Sequence, residues 1–120
     1  MKVRILRSAL EDLAAGRDFY DRQEEGVGEH FFNSLFTEID SLVLYAGIHP
    51  IRFGFHRLLA RRFPHAIYYR VIAGEALVFR VLDCRRDPRW IRRTLSAGIT
   101  YKGMRRTRED EGGPRASRQR

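Results

Sequence analysis

The spacing of apolar positions changes twice along this chain, and each change marks a different kind of element. Val3, Arg4, Ile5 and Leu6 alternate weakly and include β-branched residues, which predicts a first strand. From Ser8 the period lengthens, and Leu10, Leu13, Ala14 and Tyr20 fall near one face of a helix. Ser8 followed by Glu11 has the spacing of a capping box, in which hydroxyl and carboxylate satisfy backbone donors at a helix start. Gly16 lowers the propensity of this helix. Glu25-Gly26-Val27-Gly28 interrupts the pattern. Phe32, Leu35, Phe36, Ile39, Leu42 and Val43 then recur at helical spacing, with Asn33, Glu38 and Asp40 off the stripe. The short glycine-containing loop predicts an antiparallel helical hairpin, closed by Gly47 and Pro50.

Beyond this point the period shortens to that of strands. Residues 57–63 give way at Pro64-His65, and residues 66–72 and 76–82 flank the turn Ala73-Gly74-Glu75. Tyr68, Arg70 and Ile72 alternate with Ile67, Tyr69 and Val71, so one sheet face is expected to carry polar tips and the other to meet the helices. Asp87 suits an N-cap and Pro88 the first helical position. They open a short helix that contains Ile91 and Leu95 and ends at Gly98. The expected class is α+β, in the order β-α-α-β-β-β with a short C-terminal helix, the helical hairpin packed on one face of a small antiparallel sheet.

Composition narrows the picture. With 120 residues, 43% of them hydrophobic, the chain has material for one core, expected over residues 1–98. Residues 99–120 are expected to form a basic, disordered tail. From Lys102 onward seven cations stand against three acids, half of the net charge of +8, with few apolar residues to offset ordering entropy. The absence of a long apolar run or a signal-peptide pattern predicts a cytoplasmic protein without membrane contact. Cys84 is the only cysteine, and His30, His49, His56 and His65 lack ligand spacing, so neither metal nor cofactor is expected. Most cations are arginine, which forks onto phosphates and carboxylates, and this points to an anionic partner, nucleic acid or acidic protein. Arg85, Arg86 and Arg89 at the end of the last strand could converge on one anion. A local reading stands beside it, in which Asp83 and Asp87 neutralise them.

Two stretches carry a family resemblance: Arg61-Arg62-Phe63-Pro64-His65-Ala66-Ile67-Tyr68-Tyr69-Arg70-Val71 and Val81-Leu82-Asp83-Cys84-Arg85-Arg86-Asp87-Pro88-Arg89-Trp90. They resemble the RelE/ParE superfamily of bacterial type II toxin–antitoxin toxins, also called plasmid stabilisation proteins, and the element order is similar over roughly residues 3–95. The resemblance implies a basic toxin neutralised by a cognate antitoxin. It also implies one of two targets: messenger RNA on the ribosome for RelE-like branches, DNA gyrase for ParE-like ones. Many RelE-like members carry an arginine where this chain has Ala66 and a histidine where it has Asp83. RNA cleavage through the 2′-hydroxyl needs proton transfer and cations for the phosphorane-like transition state, and arginine is a poor base. For an endoribonuclease without metal, the weak catalytic candidates are Arg61 and Arg86 as cations, a part Arg62 and Arg85 could also play, and His65 and Asp83 for proton transfer, beside His56 and the tyrosines. The incomplete set favours the ParE-like branch, acting on gyrase or another nucleic-acid-handling target. The alternatives are the ribosome-dependent nuclease or a degenerate, non-toxic binding module. The surface expected to meet the antitoxin or an anion comprises Arg61, Arg62, Arg70, Arg80, Arg85, Arg86, Arg89 and Trp90.

Overall fold

The computed structural model describes residues 1–100, with side chains as far as Ala97. The expected tail lies, beyond Thr100, outside the described residues. The elements run β1 (Lys2–Ile5), α1 (Arg7–Gln23), α2 (Val27–Asp40), α3 (Leu42–Tyr45), β2 (Ile51–Arg52), β3 (Phe55–Leu59), β4 (His65–Ile72), β5 (Glu75–Asp83) and α4 (Pro88–Thr100). The described residues fall into two units, Met1–Arg86 and a second that begins at Asp87, so that the sheet and the first three helices share one unit.

The α+β class holds, and the sheet has five strands in the order β1-β5-β4-β3-β2. It is mixed rather than wholly antiparallel, because β1 pairs parallel to β5 in the register Lys2↔Glu75 to Ile5↔Val78. A parallel pair needs a long crossover, and the helices and three strands between β1 and β5 supply it. The added strand β2 pairs antiparallel with β3 through a turn at Phe53-Gly54, both at positive φ (58° and 85°). Positive φ at both central residues is the geometry of a type I′ hairpin, and a Phe-Gly pair does not advertise it as Asn-Gly would. Ala73 (φ 52°) and Gly74 (φ 77°) close β4 onto β5 in the same manner, and Ile72 pairs with Glu75.

The capping box does not form. Leu6 occupies the N-cap of α1 with no side-chain cap, and the Ser8 hydroxyl instead donates to the Phe79 carbonyl at 2.6 Å. The reason lies in the sheet. The β1 ladder ends where the Leu6 N–H meets the Val78 carbonyl at 3.0 Å, while β5 continues to Asp83. Its exposed edge would leave backbone groups without partners. Ser8 takes the Phe79 carbonyl, and Asp12 takes the Val81 N–H at 2.9 Å. A register shift between Tyr68 and Tyr69 leaves Phe79 as the extra residue of a bulge at the same point.

Packing of the hairpin depends on two glycines. A Cβ on Gly28 would lie 2.3 Å from the Arg17 carbonyl oxygen, so α1 and α2 meet backbone to backbone there. The Gly28 N–H donates to the Asp21 carboxylate at 2.7 Å across the same contact. A Cβ on Gly16 would lie 2.5 Å from the Phe31 ring. Phe31, outside the expected stripe, is fully buried with Ala9, Leu13, Leu35, Ile39 and Leu42 against Ile67, Tyr69, Ala76, Val78 and Val81 of the sheet. Leu10 and Val43, expected inside, are exposed.

The opposite sheet face is not polar, as the alternation had suggested. Phe55, Ala66, Tyr68 and Leu82 are buried there as well, and the Arg70 guanidinium lies 4.2 Å over the Phe55 ring and donates to the Gly54 carbonyl at 3.0 Å. Within the second unit, α4 begins as expected. The Asp87 carboxylate accepts the Arg89 N–H at 2.8 Å, and Pro88 takes the first position. The helix does not stop at Gly98 but continues to Thr100.

Candidate functional site

The end of the sheet where β4 begins and β5 finishes gathers the titratable groups. His65 stands opposite Asp83 in the β4–β5 register. The chain around it is closed by three backbone bonds, Ala60 N–H to His65 at 2.9 Å, His65 N–H to Phe63 at 2.7 Å and Cys84 N–H to Pro64 at 2.8 Å. Its ring packs 4.9 Å from Phe31 and 6.0 Å from Tyr20, and the residue is 9% exposed. Burial lowers the pKa of His65, opposed by the Asp83 carboxylate and reinforced by Arg85. The imidazole is therefore held neutral near pH 7. Among the described residues its Nδ1 has no hydrogen-bond partner.

Asp83 is already engaged. Its Oδ1 accepts from the Arg85 N–H at 2.8 Å and from Nε at 3.0 Å, while Oδ2 accepts from Nη2 at 2.7 Å. The hydrogen bonds from Arg85 hold the Asp83 carboxyl below its ordinary range. Burial raises the Tyr20 phenol, and the nearby Arg85 guanidinium partly offsets the rise. Asp87 and Arg89 repeat the device in the second unit. The Arg89 N–H donates to Asp87 at 2.8 Å and its Nη2 at 3.1 Å, and these bonds lower the Asp87 pKa. Each arginine thus forks back onto the aspartate two residues before it, as the local reading of this stretch had it. Such a pair is a weaker anion site than a bare guanidinium, because the carboxylate competes for the same donors.

The other expected site residues are dispersed. Arg80 binds Asp12 with Nε and Nη2 at 2.7 and 2.8 Å, and the Asp12 hydrogen bonds raise its pKa. Arg70 is packed over Phe55, and burial lowers its pKa. The Arg86 N–H donates to the Asp83 carbonyl at 3.2 Å. Trp90 is half-buried on α4. Arg61 and Arg62 lie on the loop after β3, along a cleft of about 290 Å³ shared with His30, Asn33, Ser34, Thr37 and Glu38. The Glu38 Oε2 accepts from the Arg61 N–H at 3.0 Å and, more weakly, from its Nε at 3.5 Å, in a side chain that is 83% exposed.

Of the four catalytic candidates, the structure brings His65 and Asp83 side by side, adds the backbone of Arg86, and leaves Arg61 with Glu38. It adds Tyr20 and Arg85, of which Tyr20 carried only the signal of a helix-face aromatic. Ala66 is fully buried, so an arginine at that position would have to bury its charge. Tyr68 is also fully buried, unsuited to stacking on a base. Desolvation raises the Cys84 thiol pKa, opposite to what an activated nucleophile needs. Among the described residues no three His, Cys, Asp or Glu side chains gather into a metal-binding group, and no helix is long and apolar enough to cross a membrane.

No family model matches the chain. No curated protein matches it either. Seven chains of solved structures match it. One belongs to a chromosomal ParDE TA system from P. aeruginosa. It is 22% identical, with a TM-score of 0.62 over 68% of this chain and 92% of that one.

Proposed function

We propose that this chain is the toxin of a bacterial type II toxin–antitoxin pair, of the ParE-like branch. It would inhibit growth through DNA gyrase or another nucleic-acid-handling target and be neutralised by a cognate antitoxin. The fold shared with the ParDE chain supports the toxin–antitoxin reading. The observation that carries the choice of branch is the state of His65. A general base must come within hydrogen-bond reach of the proton it takes, and His65 is 9% exposed behind Phe31 and Tyr20. The neighbouring cation that would stabilise a phosphorane, Arg85, is forked onto Asp83. Acidic residues of the antitoxin would pair with the exposed guanidinium of Arg61 and with Arg62.

The test is induction in a bacterial host, with and without the product of the adjacent gene, while growth, plasmid supercoiling and messenger-RNA integrity are followed together. The expected result is growth arrest relieved by coexpression, altered supercoiling and intact messenger RNA. The nuclease reading rests on one observation, the unpartnered Nδ1 of His65 beside Asp83. Reproducible cuts in ribosome-bound messenger RNA, lost in an Arg85→Ala/Arg86→Ala double variant, would establish it instead. Growth unaffected by induction would leave a non-toxic binding module.

A further inference from the structure

The segment from α3 to β2 exposes an apolar run on an ordered backbone. Leu44 is 79% exposed, Ile48 72% and Ile51 61%, with Val43 and Tyr45 about half exposed. The segment crosses the helix side of the sheet from edge to edge. At the β1 edge the N-terminal ammonium of Met1 donates to the Val43 carbonyl at 2.9 Å. Over β4, the Tyr69 hydroxyl accepts the Gly47 N–H at 2.9 Å and meets His49 Nδ1 at 2.5 Å. At the far edge Ile51 pairs with His56, whose ring stacks on Tyr69 and whose Nδ1 bonds the His49 carbonyl at 2.6 Å.

These bonds fix a loop whose apolar side chains point to water. Scattered exposed apolar residues need no explanation, but a contiguous run on a hydrogen-bonded support is a pre-organised contact surface. Five strands at about 4.8 Å spacing make the run roughly 19 Å long, the length of a helix of about 13 residues. The charges around it are mostly positive: of the nearby acids Glu38 is bonded to Arg61 and Glu75 to Arg4, and Asp40 is exposed just before the segment. No acidic residue occurs from Ser41 to Gly74, and the rim carries the Met1 ammonium, Lys2 and Arg52, all exposed. A second copy of this chain would bring the same cations against them.

We infer that residues 43–51 form a docking surface for an amphipathic helix of a protein partner, apolar along one face and flanked by carboxylates. Leu44, Ile48 and Ile51 would seat the apolar face, and Met1, Lys2 and Arg52 would pair with the acids. The surface is independent of the proposed target. It stands whether or not the chain arrests growth.

The test uses the full chain and two synthetic 14-residue helical peptides, both with leucines at three- and four-residue spacing, one with glutamates on the other face and one with lysines. The glutamate peptide is expected to shift backbone amide resonances of residues 43–52 and of the start of β1, and to bind at least tenfold tighter than the lysine peptide. Ile48→Glu, at an exposed position that leaves the core intact, is expected to weaken that binding at least tenfold. Tyr69→Phe, which frees the loop, is expected to weaken it with the sheet resonances retained. Three results would overturn the inference: no shifts with either peptide, shifts centred on Arg61 and Arg62 that Ile48→Glu leaves unchanged, or a concentration-dependent dimer that Ile48→Glu dissolves.

Discussion

Asp12 on α1 grips Arg80 on β5 through both carboxylate oxygens, at 2.7 and 2.8 Å, and the same carboxylate takes the Val81 N–H at 2.9 Å. One side chain therefore closes the open edge of β5, neutralises a half-buried cation and ties the helical hairpin to the sheet. Asp12→Ala leaves Arg80 and the Val81 N–H without these partners and is expected to cost about 2–4 kcal/mol. Urea unfolding of the variant checks it. A change under about 0.5 kcal/mol, the level of an ordinary surface substitution, would mean that water replaces the carboxylate at no loss.

The helix contact is expected to tolerate no side chain at Gly28. A Cβ there meets the Arg17 carbonyl at 2.3 Å, and backbone cannot step aside without parting the helices. Gly28→Ala should destabilise by about 2 kcal/mol or more, in spite of the better helix propensity of alanine. At Gly16 the obstruction is the Phe31 ring, and Gly16→Ala combined with Phe31→Leu should recover part of the loss of Gly16→Ala alone. Additive losses in thermal unfolding would refute that coupling.

The β4–β5 turn holds Ala73 at φ 52°, where a Cβ is strained by about 1–2 kcal/mol. Ala73→Gly is expected to raise stability by roughly 0.5–1 kcal/mol, part of the relief being lost to the greater freedom of unfolded glycine. A lower melting temperature in the variant would contradict this.

Stability should fall on acidification before the carboxylates titrate. Burial holds the imidazoles of His65 and His49 below their ordinary value. Below about pH 6.5 the unfolded chain binds protons that the folded chain refuses. Their contribution is complete above that pH and is lost as pH falls. Asp83, lowered by Arg85, adds a second loss at the pH of ordinary carboxylates, about 4. Denaturant midpoints between pH 8 and 5 test the first step, and His65→Leu should flatten the slope. A histidine resonance of His65 that titrates at 6.5 or above would defeat the explanation.

Apolar spacing together with local turn and cap residues determined the α+β class, the helical hairpin, the β3–β4–β5 meander and the Asp87-Pro88 helix start, because each depends on residues near in sequence. The two-residue pairing of Asp83 with Arg85 was legible for the same reason, as an alternative to a shared anion site. Tertiary structure decided what depends on distant segments. Ser8 has the spacing of a cap, but the open edge of β5 claims its hydroxyl, and no local pattern announces a carbonyl 71 residues away. Phe31 enters the core where Gly16 leaves room for its ring on α1, a complementarity between two helices that one helix's periodicity does not contain. The parallel β1–β5 pair, the burial of both sheet faces and the screening of His65 by Phe31 and Tyr20 arise likewise, from packing among elements whose own sequences would suit a different neighbour equally well.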